Sequence, residues 1–209
     1  MEIPINHFDR SKPFYPLVMS YLLQYHGLKE LAVRGVLGRR NITDTVFEKA
    51  FPELQEASSE EKGKIQNNLK TLLGPLDLKT SHGDRIKVEA DQVAKEIKSN
   101  FNYLLPHVIR STGSLIILAH ENTKGKSYRD KGPLWEFLRH CRNAATHNGL
   151  FDFRGSEPKR LAQWKNLTIT SDLQDHPLFK NDKGHGFLYP GDPIRLLWDI
   201  EQTYPDMSV

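Results

Sequence analysis

Apolar side chains recur every three or four positions through most of the first 150 residues, a spacing that predicts amphipathic helices. The first pattern follows Pro13 and stops at Gly27, and a short second helix is predicted over 28–37. Two more helices are predicted, one at about 44–54 and one at about 58–73. The N-terminal part of the chain is therefore expected to be a series of short helices.

The middle of the chain carries the longest helical pattern. Residues 76–87 are polar and predict a loop or a small hairpin, and apolar positions then recur from about 89 to 121. Pro106 and Gly113 are expected to bend or split this helix. The following loop, 122–132, is rich in glycine and lysine, and we expect it to be exposed and mobile.

A shorter helix is predicted over about 133–148. Pro133 suits its first position, because the amide that proline lacks has no acceptor there. Asn148 and Gly149 supply its end, since both residues tolerate the left-handed conformation of a helix stop.

The C-terminal part changes in character. Residues 167–170 alternate like a short strand and are predicted to pair antiparallel with 186–189. Asp192 is expected to cap a last helix, so that the hairpin and this helix together occupy about 165–203. The pattern as a whole predicts a mainly α protein: one helical-bundle domain over 1–209, with a small C-terminal β-hairpin.

Composition narrows the class of protein. With 209 residues, 38% of them hydrophobic, and a mean hydropathy of −0.56, the chain is typical of a globular protein with a substantial core. No apolar run approaches the roughly 20 residues that span a bilayer, and the N-terminus lacks the shape of a signal peptide. A cytoplasmic protein without a membrane partner is expected. Cys141 is the only cysteine, which excludes a disulfide within one chain.

Positive charge is concentrated in one segment. Between Glu121 and Lys165 there are ten basic and five acidic side chains, whereas the whole chain has a net charge of only +3. Such a local excess is typical of a surface that binds the phosphates of RNA, although uneven charge on a solvated surface is the ordinary alternative. The predicted RNA-binding side chains are Lys124, Lys126, Arg129, Lys131, Arg139 and Arg154.

The segment from Arg142 to His147 carries the most distinctive chemistry. Arg142 is a permanent cation that can hold a phosphate through two hydrogen bonds, and His147 can take a proton from a ribose 2′-hydroxyl and later return one. Asn143 lies about 40° from His147 on the helix and can orient the imidazole or a phosphate oxygen. We therefore predict Arg142, Asn143 and His147 as catalytic residues. His140 also lies near the face of His147; it is a further candidate for the site, but we expect it at the surface.

Both charged residues also have an ordinary structural explanation. Arg142 falls at the edge of the apolar stripe of the helix, where an ion pair would account for it. Glu121 and Asp199 are the candidate partners. His147 lies in the last turn, where the helix dipole stabilises an imidazolium. His147 lies about 140° around the helix from Arg142. The two side chains of one helix can therefore contact the same atom only where the helix ends or is distorted.

The string Arg142-Asn143-Ala144-Ala145-Thr146-His147 resembles the R-x(4–6)-H signature of the HEPN superfamily. The resemblance is sharpest over 132–152 and extends more softly to 164–170 and 191–198. HEPN domains are small and all-helical, and many are metal-independent endoribonucleases of toxin–antitoxin, CRISPR and phage-defence systems. The resemblance implies a HEPN-like bundle that cleaves RNA to 2′,3′-cyclic phosphate ends as a toxin or defence effector. It implies no cofactor, no metal, and an antitoxin or other regulatory protein as a further partner.

A homodimer follows from the same resemblance. Cys141, Ala144 and Ala145 are small and would let a second helix approach closely, and symmetric pairing of two such helices would bring two Arg/His sets into one cleft, as in HEPN dimers. In one respect the chain departs from the family. Gly149 occupies the position at which members silenced by an AMP-adding antitoxin carry a tyrosine, so that mode of control is not expected.

Two other kinds of protein remain open. One is a non-catalytic HEPN-like module that binds RNA, a nucleotide or a protein partner; the other is a helical interaction protein. Motifs of zinc proteases, phosphate-binding loops, serine hydrolases and dinucleotide-binding folds do not occur in the sequence. His176, His185 and Asp182 are the residues that would bind a metal incidentally.

Overall fold

A computed structural model describes residues 8–37, 76–89, 104–155, 158–181 and 183–208, together with 58, 61, 92–93 and 95–96. The chain divides into two compact units: Met1–Tyr25 with Leu104–Val209, and His26–Tyr103. The single domain expected over 1–209 stays a prediction. The helix expected at about 44–54, and nearly all of the helix expected at about 58–73, lie outside the described residues.

The mainly α class is confirmed for the part of the chain that the structure describes. Its α-helices are α1 (Phe14–Leu37), α2 (Leu104–Thr123), α3 (Pro133–Thr146) and α4 (Asp192–Thr203). Pro133 begins α3 as expected. The expectation that Asp192 caps α4 is wrong, because α4 begins at Asp192 itself and Gly191 is the cap residue; the Asp192 carboxylate instead accepts a hydrogen bond from the amide of Tyr189 at 2.8 Å.

Two expected helix breaks do not occur. α1 runs through Gly27, because one interior glycine costs only about 1 kcal/mol relative to alanine. α2 runs through Gly113, where an added Cβ atom would make only an ordinary van der Waals contact of 3.5 Å with the Cβ of Ala145. Pro106 is the third residue of α2, a position that proline tolerates because amides in a first turn have no helical acceptor. Residues 97–103 lie outside the described residues, so a break of the long helical pattern near Pro106 stays a prediction.

The core of the first unit is formed where α2 packs against α3 and α4. At its edge the hydroxyls of Tyr21 and Thr112 are hydrogen-bonded at 3.0 Å, which joins α1 to α2. Glu201 of α4 is buried and accepts backbone hydrogen bonds from Phe14, the first residue of α1, and from Asp9; its burial raises its pKa to about 7. The fully buried aliphatic and aromatic side chains include Phe14, Ile116, Phe137, Leu138, Leu196, Leu197 and Ile200.

Two short antiparallel hairpins accompany the helices. In the second unit β1 (Leu76–Lys79) pairs with β2 (Arg85–Val88), which confirms the hairpin considered for 76–87. In the first unit β3 (Gln163–Trp164) pairs with β4 (Leu167–Thr168). The expected pairing of 167–170 with 186–189 is therefore wrong. The strand partner is local because a two-residue turn closes β3 on β4, whereas Leu188 forms an isolated parallel bridge with Phe179.

Asp199 of α4 is the centre of a cluster of hydrogen bonds and ion pairs between β3 and α4. Its carboxylate accepts hydrogen bonds from Trp164 Nε1 at 2.8 Å and from Arg195 Nε at 3.0 Å. The ammonium of Lys165 lies 3.1 Å from the same group, and the Asp199 side chain is only 17% exposed. Asp199 is thus committed to this cluster and is not the partner of Arg142.

The loop before α3 is partly fastened to the core. Tyr128 packs against Trp135, with ring centroids 6.3 Å apart, and the guanidinium of Arg129 lies over the same indole. Asp130 accepts hydrogen bonds from the hydroxyl of Tyr204 at 2.9 Å and from the amide of Gly132. The expected exposure of 122–132 therefore holds for Lys124, Lys126 and Lys131, but residues 128–130 are held in place.

Candidate functional site

α3 presents two chemically distinct faces. The core face is closed, because Phe137, Leu138, Cys141 and Ala144 are completely buried. The opposite face of the second half of the helix is at least partly exposed, and all of the predicted catalytic residues belong to it. This accessible face consists of Arg139, Arg142, Asn143, Thr146 and His147.

Arg142 is paired with Glu121 of α2. Its Nε donates to Glu121 Oε1 at 2.9 Å, and its Nη2 lies 2.7 Å from the same oxygen. The two side chains are 31% and 36% exposed, so the pair lies at the surface of the α2–α3 packing. Hydrogen bonding to Arg142 is the main reason why the pKa of Glu121 is lowered. The structural explanation for Arg142 is thus correct, and Glu121 is the partner.

Asn143 is coupled to the same guanidinium. Its side-chain oxygen accepts a hydrogen bond from Arg142 Nη1 at 3.3 Å. Since Nε and Nη2 point at Glu121, the remaining guanidinium edge is directed along the accessible face, with the Asn143 amide beside it. Arg142 and Asn143 therefore offer adjacent donors to an anion, with the Glu121 carboxylate behind them.

His147 forms the end of α3. Its amide donates to the carbonyls of Ala144 and Asn143, and the chain then turns through left-handed conformations at Asn148 (φ 57°) and Gly149 (φ 78°). The helix stop predicted from these two residues is confirmed. The His147 side chain is 41% exposed, so the imidazole is open to solvent at the helix end.

Asp152 faces His147. Its Oδ2 lies 3.5 Å from His147 Nδ1, a distance too long for a good hydrogen bond but close enough for electrostatic attraction. A carboxylate at Nδ1 favours a proton on that nitrogen and leaves Nε2 as the basic atom. The sequence analysis did not select Asp152. The available signal was an acidic residue placed just after the helix stop.

Arg142 and His147 belong to two small groups rather than to one. Arg142 is bonded to Glu121 and Asn143, and His147 is paired with Asp152; no hydrogen bond or ion pair joins the two within the described part of the chain. α3 stays helical through Thr146, so the separation of about 140° around the helix is largely kept. Asn143 lies between them on the accessible face.

His120 adds a neutral polar group beside the Arg142 pair. Its Nδ1 lies 3.3 Å from Glu121 Oε1, and its ring is buried. Burial, together with the positive charge of Arg129, lowers the pKa of His120 to about 4 despite the nearby carboxylate. Arg129 donates to the His120 carbonyl at 3.1 Å, so this arginine is held against the end of α2.

The six predicted RNA-binding cations differ in exposure: two arginines are partly buried and bonded within the protein, and the other four side chains are exposed. Arg129 and Arg139 have protein partners: Arg129 as above, and Arg139 in an ion pair of 2.9 Å with the buried Glu136. Lys124 is 71% exposed and 3.9 Å from Glu121, close to the motif pair. The remaining cations, all exposed at the surface, are Lys126, Lys131 and Arg154.

His140 is not at the surface as expected. It is 2% exposed, and its ring packs edge-on against Phe153 while Nε2 lies 2.8 Å from Arg139 Nη2. The surface position predicted for His140 from the helical wheel was wrong because the segment after α3 folds back over this side of the helix. Cys141 is also enclosed, and burial raises the pKa of its thiol, which does not suit it to act as a nucleophile.

The small residues of α3 serve packing within the chain. Cys141 and Ala144 are fully buried, and Ala145 lies against Gly113 of α2. The helix that approaches them closely is therefore α2. The homodimer stays a prediction, but these residues no longer supply its contact surface.

Metal ligands are not assembled in the described residues, where no group of three or more His, Cys, Asp or Glu side chains converges. His176 and His185 do lie together, with ring centroids 4.7 Å apart. Asp182, the third residue considered with them, lies outside the described residues.

No protein-family model matches the chain, and neither a curated protein nor a solved structure matches it. Among the described residues, no helix has the length and apolarity needed to cross a membrane.

Proposed function

We propose that this protein is a metal-independent endoribonuclease whose working surface is the accessible face of α3. The observation that carries the proposal is the pairing of exposed His147 with Asp152, one helical turn from the guanidinium and amide of Arg142 and Asn143. Support also comes from the likeness of this segment to the HEPN signature and from the local excess of positive charge. A role as a toxin or defence effector in the cytoplasm belongs to the same proposal.

His147 acts as the proton carrier. Its Nε2 takes the proton of a ribose 2′-hydroxyl, and the freed oxygen attacks the adjacent phosphorus in line. The bond from phosphorus to the 5′-oxygen breaks, and that oxygen leaves with a proton returned by the imidazolium. The products carry a 2′,3′-cyclic phosphate and a 5′-hydroxyl. Asp152 stabilises the imidazolium between the two transfers.

Arg142 and Asn143 stabilise the phosphate. The guanidinium offers a fixed positive charge to the oxygens on which negative charge grows, and the amide of Asn143 positions one of them. Glu121 holds the guanidinium in one orientation, which favours preorganisation but also offsets part of its charge. The angular separation of Arg142 and His147 is met by a dimer in which the His147 of one copy and the Arg142 of the other face one phosphate.

The test is incubation with single-stranded RNA in EDTA. Wild-type protein should cut, His147→Ala should lose about 10²- to 10⁴-fold in rate, and Arg142→Ala about 10²- to 10³-fold. His82→Ala and Arg10→Ala are matched controls, since both residues are exposed and outside the site. Complete dependence on metal, or full activity in both site variants, would overturn the proposal.

A second function, a non-catalytic RNA- or nucleotide-binding module, is favoured by one observation. Arg142 is already neutralised by Glu121, as in a structural ion pair. Such a protein would shift RNA in a gel without cutting it, and His147→Ala would leave that binding unchanged.

A further inference from the structure

A cavity of about 390 Å³ opens between α2 and the end of α3, next to the proposed working surface. Ile109 and Ile117 of α2, Ala145 of α3 and Phe179 form its apolar walls. The volume falls within the range of small-molecule sites in proteins. Asn148 and Gly149, the two residues that follow His147, belong to its lining, so the cavity adjoins the end of α3.

The mouth of the cavity carries a small set of polar groups. Arg110 is exposed, and its guanidinium makes no hydrogen bond or ion pair among the described residues. Ser114, one turn further along α2, donates its hydroxyl to the Arg110 carbonyl at 3.0 Å and keeps its acceptor sites free. Asn148, which is exposed and has a left-handed backbone (φ 57°), also lines the cavity and offers its side-chain amide.

Arg110 and Arg142 differ in a way that matters for an anion. Arg142 forms an ion pair with Glu121, whereas Arg110 forms no ion pair among the described residues and lines an apolar cavity. Apolar walls suit a flat heterocycle, amide and hydroxyl groups suit its polar edge, and an unpaired guanidinium suits a phosphate. A peptide or a lipid chain would satisfy the walls but would leave this cation unmatched.

We propose that the cavity binds one nucleotide unit: the base lies against Ile109, Ile117 and Phe179, and Arg110 binds its phosphate. The proposal rests on the proposed function, because it makes the occupant the nucleotide that adjoins the bond attacked at His147. It assigns base preference to this cavity, while Arg142 and Asn143 act on the scissile phosphate. Binding here needs no turnover, so the cavity is testable apart from the cleavage reaction.

The experiment is calorimetric titration with the four ribonucleoside 3′-monophosphates, with ribose 5-phosphate and inorganic phosphate as comparators. Wild-type protein should bind at least one nucleotide saturably in the micromolar to millimolar range. Arg110→Gln should weaken this binding about tenfold or more, because a charge-assisted contact is lost. Ser114→Phe, which fills the cavity from an exposed position, should abolish it.

Matched controls separate the cavity from general effects. Arg10→Gln removes the same charge, and Ser20→Phe adds the same ring at an exposed site on α1; both should bind as wild type does. Melting curves check folding. If Ser114→Phe does not fold, Arg110→Gln still tests the proposal, because its side chain is exposed and has no structural partner in the described residues.

Several outcomes overturn the proposal. They are the absence of binding by all four nucleotides at millimolar concentration, equal binding of inorganic phosphate, and unchanged binding in Arg110→Gln. If wild type binds no nucleotide and Ser114→Phe instead abolishes self-association, the cavity is an interface between copies. If the wild-type protein binds a nucleotide but does not cleave RNA, the proposed function is wrong and the nucleotide site in the cavity is not affected.

Discussion

Arg142 donates from Nε and Nη2 to a single oxygen of Glu121, at 2.9 and 2.7 Å, and so joins α3 to α2. The contact both orients and neutralises the only arginine of the HEPN-like string. Glu121 therefore limits how strongly Arg142 attracts an RNA phosphate in the free protein. An approaching phosphate must compete with this carboxylate or use the remaining Nη1 edge.

Glu121→Gln should tighten RNA binding. The substitution keeps the shape and one acceptor but removes the negative charge, so the guanidinium becomes more available to phosphates. Fluorescence anisotropy with a single-stranded RNA should show a higher affinity for the variant than for the wild type. That affinity should also decrease more steeply as the salt concentration increases. Glu89→Gln, at an exposed position of the second unit, is the matched control for net charge. Equal effects of the two changes would contradict this role for Glu121.

Lys124, Lys126 and Lys131 should contribute RNA affinity rather than catalysis. All three are exposed, and contacts of this kind to phosphates position RNA without reading its sequence. Replacing them together with serine should weaken RNA binding and flatten its salt dependence, with little change in the single-turnover rate at saturating RNA. A collapse of that rate to the level of His147→Ala would place the loop in the active site.

Arg129 is left out of that set for a structural reason. It lies over the Trp135 ring and donates to the His120 carbonyl, so its removal would disturb the start of α3 and the end of α2. Its effect on RNA binding is therefore not separable from an effect on the fold.

The buried His120 should make the protein less stable in acid. Its pKa is about 4 in the folded protein, against an ordinary value of 6.5, so the unfolded chain binds more protons between these values. The contribution of His120 to the free energy of unfolding is therefore fully present above pH 6.5. It is lost as the pH falls from 6.5 toward 4, at about 1.4 kcal/mol per pH unit for one proton. His120→Gln should therefore lose stability less steeply than wild type over this window in chemical denaturation. Parallel curves for the two proteins would exclude the effect.

Asp199→Ala should destabilise the first unit. It leaves Trp164 Nε1 without its acceptor and separates Lys165 and Arg195 from their shared carboxylate. A buried donor without a partner costs about 1–3 kcal/mol, and each kcal/mol lowers the melting temperature by about 2–4 °C in a chain of this size. Asp199→Asn should lose less, since its amide oxygen still accepts from the indole. A melting temperature unchanged in Asp199→Ala would show that the cluster is not structural.

Local chemistry made the end of α3 predictable. Asn148 and Gly149 both take positive φ values, and Pro133 begins the helix, because each preference is set by the residue itself. The two interior glycines were wrongly predicted to end or bend helices, because the cost of one glycine is small and α1 and α2 continue through Gly27 and Gly113.

Contacts between distant segments were the part that the sequence could not determine. Glu121 and Asp199 were equally acceptable partners for Arg142, and only the packing of α2 on α3 selects Glu121. The predicted strand partner of 167–170 was wrong for a similar reason, because the alternation of apolar and polar residues identifies a strand but not its neighbour. Asp152 was missed because its closeness to His147 depends on the turn that follows the helix.

The central claim is that His147 activates a ribose 2′-hydroxyl. The most direct measurement compares an RNA cut by the protein with the same RNA carrying a single 2′-deoxy nucleotide on the 5′ side of the cut, both in EDTA, with the product ends determined by mass spectrometry. The account predicts 2′,3′-cyclic phosphate and 5′-hydroxyl ends from the first RNA and no cut at the deoxy position in the second. Cleavage at that position, or products with 3′-hydroxyl and 5′-phosphate ends, would contradict it.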